Sequence, residues 1–341
     1  MKTLYVGIDV AKDSFTVAYW SGETAIYLGQ LTNDTPGFVH LGRQIDEVKQ
    51  AQGASEVQLV AEPTGGYELA LVGWAYARGW LVSLPNPKQV RRWAEGRGKR
   101  AKTDKQDACL LTEYGAKEKP WPQDHLPAEV RQLDTLLRRR DDVEKLLRSE
   151  RNRYHALTHQ PGIPATVLDS VKRVIAALEA ELEALEQAIQ ALLQQHPDLK
   201  NQVRHLRTIP GVGPKNVLPI LVLLYRWQAL TRGQGTSKGL CAFLGLDPQP
   251  YSSGKSVWER PIISRMGDRA GRRLLYLGAL GGVRGHNPLR DFYQQLRGRG
   301  KAPKLALVAA ARKILVWCWA IFRTNEPFDA SRFRNSAAQP S

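Results

Sequence analysis

Short apolar runs alternate with amphipathic segments over residues 1–125, and this pattern predicts strands and helices of one domain. The first three runs, Leu4–Val10, Ser14–Trp20 and Thr24–Leu31, have short connections typical of an antiparallel meander. The predicted order βββαβαβαα favours a mixed sheet covered by helices. The later elements are a helix capped at Thr35-Pro36, a strand at Glu56–Glu62, a helix from Tyr67, a strand at Trp80–Leu84, and helices around Val90–Glu95 and Asp104–Tyr114.

Apolar residues in the middle of the chain repeat with the period of a coiled coil. Leu126–Leu157 is rich in Leu and Arg and is predicted to be helical, and Gln160–Pro164 breaks it from a second helix. The pattern predicts a coiled coil within or between chains, although one helix packed on its own domain shows the same pattern. The heptad positions of the second helix are Val171, Ile175, Leu178, Leu182, Leu185, Ile189 and Leu192.

The last region is predicted to consist of helices joined by polar segments. The fold class is therefore α/β plus α, with domains at 1–125, 126–200 and 201–330 and a flexible tail at 331–341. The predicted elements are an apolar helix at Val217–Tyr225, a loop at Gly233–Ser237, a short helix at Lys238–Leu244, a polar loop at Asp247–Glu259, and basic helices around Arg269–Leu280 and Lys304–Phe322.

The chain is strongly basic, and its charge is unevenly placed. Its 341 residues contain 49 Lys and Arg against 33 Asp and Glu, a net charge of +16. Residues 201–341 hold 23 basic and 6 acidic side chains, whereas residues 1–200 hold 26 and 27. This asymmetry predicts that one domain meets a polyanion, with nucleic acid favoured and acidic lipid as the alternative.

The cysteines and the hydropathy of the chain indicate in which cellular compartment it is expected. The three cysteines have no metal-like spacing and cannot all pair, which favours a reducing compartment. The N-terminal segment reaches an acid too early for a signal peptide. Leu305–Phe322 is the most apolar stretch, but Arg312-Lys313 interrupts it, so no membrane span is expected. The cysteines are Cys109, Cys241 and Cys318.

Four acids could build a metal site. Asp9 ends the first predicted strand and Glu62 ends a later one, while Asp104 and Asp107 share one helical face. If the sheet places the two strands side by side, the carboxylates meet and repel unless a divalent cation is present. Hard oxygen ligands suit Mg²⁺ or Mn²⁺.

Each acid also has a structural interpretation. Asp9 could be a turn residue at a strand end, and Glu62 could be a surface residue of a loop without a role in chemistry. Asp104 could be an N-cap, although Thr103 competes for that position. Taken together in this element order, the four acids indicate an RNase H-like nuclease core.

A turn in the last region carries a helix-hairpin-helix-like signal. In Ile209–Gly213 the glycines let the turn approach a phosphate, and the next helix offers free N–H groups. An ordinary Gly-Pro turn between helices is the alternative.

An ordered series of motifs resembles the DEDD-type insertion-sequence transposases related to the Piv DNA invertases. The match covers nearly the whole chain, and the set is specific although each motif is weak. The resemblance implies a RuvC-like N-terminal domain, a coiled-coil connector and a mostly helical transposase domain. The motifs are Gly7–Lys12, Glu62–Gly65, Lys102–Ala108, Ile209–Gly213, Tyr251–Gly254, Ile263–Arg269 and Pro327–Asp329.

The resemblance also implies residue roles and partners. Asp9, Glu62, Asp104 and Asp107 match the family's metal-binding acids, and Ser253 matches its nucleophilic serine, which forms a phosphoserine with DNA. The family implies Mg²⁺ or Mn²⁺, donor and target double-stranded DNA, a bridge RNA, a dimer or tetramer with composite sites, and a bacterial, nucleoid-associated cytoplasmic protein. From the chemistry alone, other serines compete with Ser253: Ser237, Ser252, Ser256 and Ser264.

Basic residues and glycines near the predicted turn and helices are expected to contact nucleic acid. Trp258 could stack on a base, whereas Trp317 and Trp319 are expected in the core. Asp268 and Gly271 depart from the family pattern, which leaves the DNA contacts there open. The predicted contacts are Gly211, Gly213, Lys215, Lys255, Arg265, Arg269, Arg272, Arg273, Arg297, Arg299, Lys301 and Lys304.

Three functions compete at this point. A DNA recombinase uses Ser253 and the acids to exchange strands. A metal-dependent nuclease or Holliday-junction resolvase shares the acids but uses water. A binding protein with a decayed catalytic core would need none of the acids, and the presence of all four argues against it.

Overall fold

The computed structural model describes residues 2–98, 103–253 and 257–331, and of residues 249–253 and 257–262 it describes the backbone alone. The chain divides into two compact units, Met1–His125 with Gln228–Gln234, and Leu126–Trp227 with Gly235–Ser341. The domain limits at 125, 200 and 330 stay predictions. Apart from its first residue, the predicted tail at 331–341 lies outside the described residues.

The first unit is built on a mixed five-stranded sheet with the order β3-β2-β1-β4-β5. Strand β1 pairs antiparallel with β2 and parallel with β4, and β2 pairs antiparallel with β3. The predicted meander and mixed sheet are therefore confirmed. The strands are β1 (Thr3–Val10), β2 (Ser14–Trp20), β3 (Ala25–Thr32), β4 (Glu56–Ala61) and β5 (Leu81–Ser83).

Helices cover both faces of this sheet. Leu4, Val6 and Ile8 point to one face, where they share a buried core with apolar residues of α1 and α2. Val60 belongs to a second core with residues of α3 and α4, so the alternation of side chains along the strands sorts the helices into two layers. The helices are α1 (Thr35–Gln52), α2 (Leu69–Ala77), α3 (Pro87–Gly96) and α4 (Asp104–Glu118).

The start of α1 differs from the prediction by one residue. Asp34, not Thr35, is the N-cap, and its carboxylate accepts from the N–H of Gly37 at 2.9 Å. Thr35-Pro36 is the first turn, where the missing N–H of proline costs nothing because that N–H would have no helical partner. Asp and Thr are both N-cap residues, and Asp is the more favourable of the two, so the adjacent pair Asp34-Thr35 made the cap ambiguous by one residue.

The second unit begins with a hairpin of two long helices, α5 (Ala128–Thr158) and α6 (Ala165–Gln195). Two ion pairs link the helices, Arg140–Glu186 (3.4 Å) and Arg151–Glu179 (2.7 Å). The pair that lies later on α5 lies earlier on α6, so the helices run antiparallel. The predicted heptad residues of α6 are all buried or half-buried. Helix α5, which packs along α6, has a buried apolar stripe of its own, made of Val130, Leu133, Leu137, Val143 and Leu147.

The rest of the second unit is mostly helical, and the predicted helices there are confirmed. Trp317 and Trp319 are 1% and 4% exposed, so both lie in the core as expected. Helix α12 is apolar and long enough to cross a membrane by length and composition, but 61% of its apolar window is buried inside the protein, as in core helices. The helices are α7 (Pro197–Leu206), α8 (Val217–Leu230), α9 (Ser237–Phe243), α10 (Arg269–Gly282), α11 (Pro288–Gly298) and α12 (Pro303–Thr324).

Two features of this unit were not predicted. The expected polar loop at Asp247–Glu259 was wrong, since Pro248–Ser253 (β6) and Val257–Ile263 (β7) form an antiparallel hairpin. Its prolines obscured the strand signal, but an isolated two-stranded ribbon tolerates residues that cannot donate to a ladder. Helix α11 was also missed, although Asn287 before Pro288 marks its start and accepts from two backbone N–H groups.

Candidate active site

The sheet places Asp9 and Glu62 at the same edge. In the parallel β1–β4 pair the last registered residues are Ile8 and Ala61, and each acid is the next residue along the chain. Adjacent strands lie about 4.8 Å apart, so the backbones of Asp9 and Glu62 are neighbours. Both side chains are half-buried. The site prediction required strands β1 and β4 to lie side by side, and their register meets this requirement.

Helix α4 runs across the sheet toward the same edge. A Cβ on Gly115 would lie 3.1 Å from the Tyr5 ring, and a Cβ on Gly7 would lie 2.4 Å from the carbonyl oxygen of Ala108. Moving along β1 toward Asp9 thus means moving along α4 toward its N-terminus. The first turn of α4, with Asp104 and Asp107, consequently lies at the end of the sheet where β1 and β4 end.

Buried Thr112 fixes this crossing, and no sequence pattern predicted this role. Its hydroxyl accepts from the N–H of Gly7 at 3.0 Å. The same hydroxyl oxygen lies within donating distance of two carbonyl oxygens, those of Ala108 (2.9 Å) and Ala18 (3.1 Å). One fully buried hydroxyl thereby joins α4 to strands β1 and β2. A threonine in a helix usually bonds only to its own helix, so this role is visible only in three dimensions.

Capping does not account for Asp104. Thr103 is the N-cap of α4, and its hydroxyl accepts from the N–H of Gln106 at 3.3 Å. Asp104 is exposed and Asp107 half-buried, both in the first turn. Acidic side chains in the first turn stabilise a helix by about 0.3–1 kcal/mol each, because they interact favourably with its dipole. The same turn faces the edge of the sheet where β1 and β4 end.

The carboxylates are not drawn together around one point. Among the residues that the structure describes, no group of three or more His, Cys, Asp or Glu side chains is arranged to hold a metal ion. The backbone directs the acids to one end of the sheet, and their oxygens are hard ligands that fit Mg²⁺ or Mn²⁺. Their assignment as ligands stays a prediction.

The predicted nucleophile lies on the β6–β7 hairpin. Ser253 is the last residue of β6 and is registered with Val257 across the hairpin. The side chains of Ser252, Ser253 and Trp258, and the whole of Lys255 and Ser256, lie outside the described residues. The backbone therefore places Ser253 beside the hairpin tip.

Two competing serines lie elsewhere in the second unit. The hydroxyl of Ser264 donates to the carboxylate of Asp247, and its N–H donates to the carbonyl oxygen of Asp247 at 3.0 Å. This pair closes the base of the β6–β7 hairpin, which is a structural role. Ser237 is half-buried at the start of α9.

The glycine turn between α7 and α8 packs against α10. Gly211 has φ +92°, and a Cβ there would lie 2.7 Å from the carbonyl oxygen of Gly278. The side chain of Asn216 donates to Gly211 O (2.9 Å) and accepts from Gly213 N (2.7 Å). These contacts give Gly211 a packing role inside the unit, whereas a Cβ on Gly213 would meet nothing within 4 Å. Lys215 is exposed on the same turn, and a phosphate contact there stays a prediction.

The predicted basic contacts fall into two groups. Arg272 donates to the carbonyl oxygen of Leu244 at 2.7 Å, and Arg297 donates to that of Lys301 at 2.5 Å, so both hold the backbone. Asp268 is the N-cap of α10, which explains an acid in this basic segment. The remaining described side chains are exposed: Arg265, Arg269, Arg273, Arg299, Lys301 and Lys304.

Comparison with known proteins identifies the family. A transposase family model matches residues 6–160, and a model of the IS116/IS110/IS902 transposase family matches residues 203–294. The pilin gene-inverting proteins of Moraxella lacunata and Moraxella bovis are each 31% identical over 96% of this chain and 98% of their own length. The chain belongs to the IS116/IS110/IS902 transposase family. An uncharacterized protein of insertion element IS110 from Streptomyces coelicolor is 32% identical over 46% of this chain and 36% of its own length.

Membership decides the class of activity. This IS116/IS110/IS902-family protein is a transposase or recombinase of the kind encoded by mobile elements, and such enzymes act on DNA. The resemblance inferred from the ordered motifs is thereby confirmed. The first family model covers all four predicted acids, and the second covers Ser253, so both candidate groups lie in segments that define the family.

Proposed function

We propose that this transposase cuts and exchanges DNA strands with a divalent-metal site of Asp9, Glu62, Asp104 and Asp107 and with Ser253 as nucleophile. The observation that carries the proposal is the register of β1 and β4, which sets Asp9 beside Glu62 at the edge reached by the first turn of α4. Strand order β3-β2-β1-β4-β5, with β2 antiparallel and helices on both faces, supports assigning an RNase H-like, RuvC-like fold to this unit.

The four acids fit one chemical task. Carboxylates at a common edge repel each other, and a hard divalent cation relieves that repulsion. When bound, Mg²⁺ or Mn²⁺ would neutralise charge on the phosphate and on the attacking and leaving oxygens. The DEDD-type family supports dependence on a divalent metal in general. In this chain the strand ends and the first turn of α4 would hold and orient the ligands.

Ser253 would form the covalent intermediate. Its hydroxyl oxygen bonds to phosphorus while the bond from phosphorus to one deoxyribose oxygen breaks; the serine loses its proton and the released strand gains one. The hydroxyl of a second DNA strand then displaces the serine, so the number of phosphodiester bonds is conserved.

A covalent adduct distinguishes recombination from hydrolysis. With a nicked suicide DNA substrate, wild-type protein should form a protein–DNA adduct that survives denaturation, and Ser253→Ala should abolish it while Ser252→Ala does not. An unchanged adduct in Ser253→Ala would refute the serine. Free ends without any adduct would instead favour the alternative, a metal-dependent nuclease or Holliday-junction resolvase that shares the acids.

The acids should be required for chemistry and not for binding. Asp104→Asn should lower strand cleavage by at least about a hundredfold, because one metal ligand is lost, while DNA affinity is kept. Asp46→Asn, an exposed acid on α1, is the matched control. Loss of DNA binding by Asp104→Asn at unchanged melting temperature would contradict the assignment.

We further propose double-stranded donor and target DNA, a bridge RNA and a homo-oligomer as partners. The family supports DNA as substrate, and the relatives' name describes inversion of a pilin gene. The guide is supported by kinship and by the basic charge of residues 201–341. Sequencing the nucleic acid that co-purifies with the protein tests it: DNA alone, resistant to RNase, would exclude a bound RNA.

Sites shared between protomers can be tested by mixing. If the serine of one protomer works with the acids of another, a mixture of Asp104→Asn and Ser253→Ala proteins should recover part of the activity that each lacks. No recovery in a mixture shown to form mixed oligomers would exclude sharing of this kind.

A further inference from the structure

Asn33, between β3 and α1, ties together two loops of the first unit. Its side-chain amide donates to the carbonyl oxygens of Ala11 (3.1 Å) and Lys12 (3.4 Å) in the turn after β1. The same amide donates to the carbonyl oxygen of Tyr67 (3.1 Å) in the loop after β4. The backbone N–H of Asn33 donates to the carbonyl oxygen of Asp13 at 3.0 Å. One residue therefore holds both loops at a fixed separation.

These two loops follow the two strands that carry acids. Strand β1 ends one residue after Asp9, and the β4–α2 loop begins with Glu62. Asp9 is still registered with Thr16 in the β1–β2 ladder, which ends at Val10, whereas Glu62 lies beyond the last registered residue of β4. The turn after β1 and the backbone of Glu62 therefore depend on what fixes the two loops. Asn33 supplies such a constraint from the segment that follows β3.

Glu68 holds the second loop from within. Its side chain is 5% exposed, and one carboxylate oxygen accepts from the N–H of Thr64 (3.0 Å), the hydroxyl of Thr64 (2.9 Å) and the N–H of Gly66 (2.9 Å). Burial alone raises the pKa of Glu68, but these hydrogen bonds outweigh it and leave the pKa below its ordinary value. The loop is thus folded around a buried carboxylate.

We infer that Asn33 and Glu68 are positioning residues that fix the backbone from which Asp9 and Glu62 project. The inference rests on the metal site proposed above. Groups that orient metal ligands without touching the metal change metal affinity by about 10–100-fold when they are removed. No sequence pattern predicted either role. Asn33 acts through contacts with segments distant along the chain, and Glu68 acts through the backbone turn of its own loop.

The effect should be local. The carbonyl oxygen of the Asn33 side chain is buried with no hydrogen-bond partner among the described residues, which offsets part of what its amide contributes to stability. Removing the side chain should therefore loosen the loops more than it destabilises the unit. That difference separates a positioning role from a purely structural one.

The test uses Asn33→Ala and Glu68→Gln in the full chain. Amide hydrogen exchange of the metal-free protein reports the loops, and Mn²⁺ titration reports the site. The amide exchange rate at residues 64–67 should rise about tenfold in both variants. In Asn33→Ala the exchange rate at residues 11–13 should rise as well. Both variants should bind Mn²⁺ about tenfold more weakly. Asn287→Ala, at the cap of α11, and Glu56→Gln, at the opposite end of β4, are matched controls that should change neither.

Three results are decisive. If the loop amides of both variants exchange at the wild-type rate, the inference is overturned. It is also overturned if the loop amides exchange faster but Mn²⁺ affinity is unchanged. If Asp9→Asn and Glu62→Gln leave Mn²⁺ binding unchanged, the metal site itself fails; the inference then stands only if Asn33→Ala lowers kcat for strand cleavage at unchanged DNA affinity. Should Asn33→Ala not fold, Asn33→Ser, which keeps one donor, carries the same measurements.

Discussion

At the residue scale, the contact between Gly7 and Thr112 decides how closely α4 lies on β1. A methyl group on Gly7 would sit 2.3 Å from the backbone nitrogen of Thr112 and 2.4 Å from the carbonyl oxygen of Ala108. Both neighbours are backbone atoms, so the helix itself must move. The spacing between Asp9 on β1 and Asp107 on α4 depends on this contact.

We expect Gly7→Ala to destabilise the first unit by about 2–3 kcal/mol, in the upper range for overpacking, and to lower strand cleavage further by displacing α4. Urea denaturation and cleavage assays measure the two effects. Gly73→Ala is the matched control, because a Cβ there meets nothing within 4 Å. In a helix interior that change should be neutral or stabilising by up to about 1 kcal/mol. Equal stability of Gly7→Ala and wild type would contradict the described crossing.

The buried carboxylate of Glu68 predicts a pH dependence. The pKa of Glu68 is lower in the folded chain than in the unfolded chain, so its ionised form favours folding. This contribution is present above the unfolded value of about 4.3 and is lost as pH falls through the lowered folded value. Melting curves between neutral pH and pH 3 should show wild type losing more stability than Glu68→Gln. Parallel curves would disprove the coupling.

At the scale of elements, the α5–α6 hairpin shows which part of the heptad pattern is used within the chain. Ile189 is completely buried, whereas Ile175, Leu178, Leu182 and Leu185 remain half-buried after α5 is in place. The pattern was compatible with pairing within or between chains, and the fold shows pairing within the chain. The partly open middle of the stripe is compatible with the proposed oligomer as well.

Alanine substitutions along α6 should reflect this difference. Ile189→Ala should cost about 2–4 kcal/mol, since a fully buried side chain is removed. Val174→Ala, at a position 44% exposed, should change stability by less than about 0.5 kcal/mol in the monomer. Urea denaturation at several protein concentrations checks both. A large, concentration-dependent loss in Val174→Ala would show that a second copy covers this face.

At the scale of the whole molecule, the basic charge of residues 201–341 is expected to set nucleic-acid affinity. Neighbouring arginines on α10 provide a matched pair. Arg273 is exposed and forms no ion pair within the described residues, whereas Arg272 bonds to the carbonyl oxygen of Leu244. Charge alone does not distinguish them, but their contacts predict different losses.

Arg273→Gln should weaken DNA binding at all sequences and reduce the slope of log affinity against log salt by about one, with unchanged stability. Arg272→Gln should instead lower stability by about 1–3 kcal/mol, because a charged hydrogen bond to a backbone carbonyl is lost. Binding titrations over a salt series and thermal melts separate the two. An unchanged salt slope in Arg273→Gln would remove this residue from the interface.

Local patterns were sufficient for most elements of this chain. Alternating apolar residues predicted β1, β2 and β4, and the heptad predicted α6, because both signals come from residues close in sequence. The β6–β7 hairpin was not predicted, since prolines weaken strand signals. Helix α11 was not predicted either, although Leu289, Phe292 and Leu296 recur with helical spacing after its cap. The four acids could be picked out because carboxylate residues stand at two predicted strand ends and in the first turn of a predicted helix.

The sequence by itself determined the strand and helix order of the first unit, the uneven charge and the family, since these depend on local patterns, composition and ordered motifs. Tertiary structure decided that β1 lies beside β4, that α4 crosses toward the same edge, and that Thr112, Asn33 and Glu68 hold these parts together. The physical reason is that these contacts join segments up to 105 residues apart, such as Gly7 and Thr112, or depend on backbone geometry that no local pattern encodes.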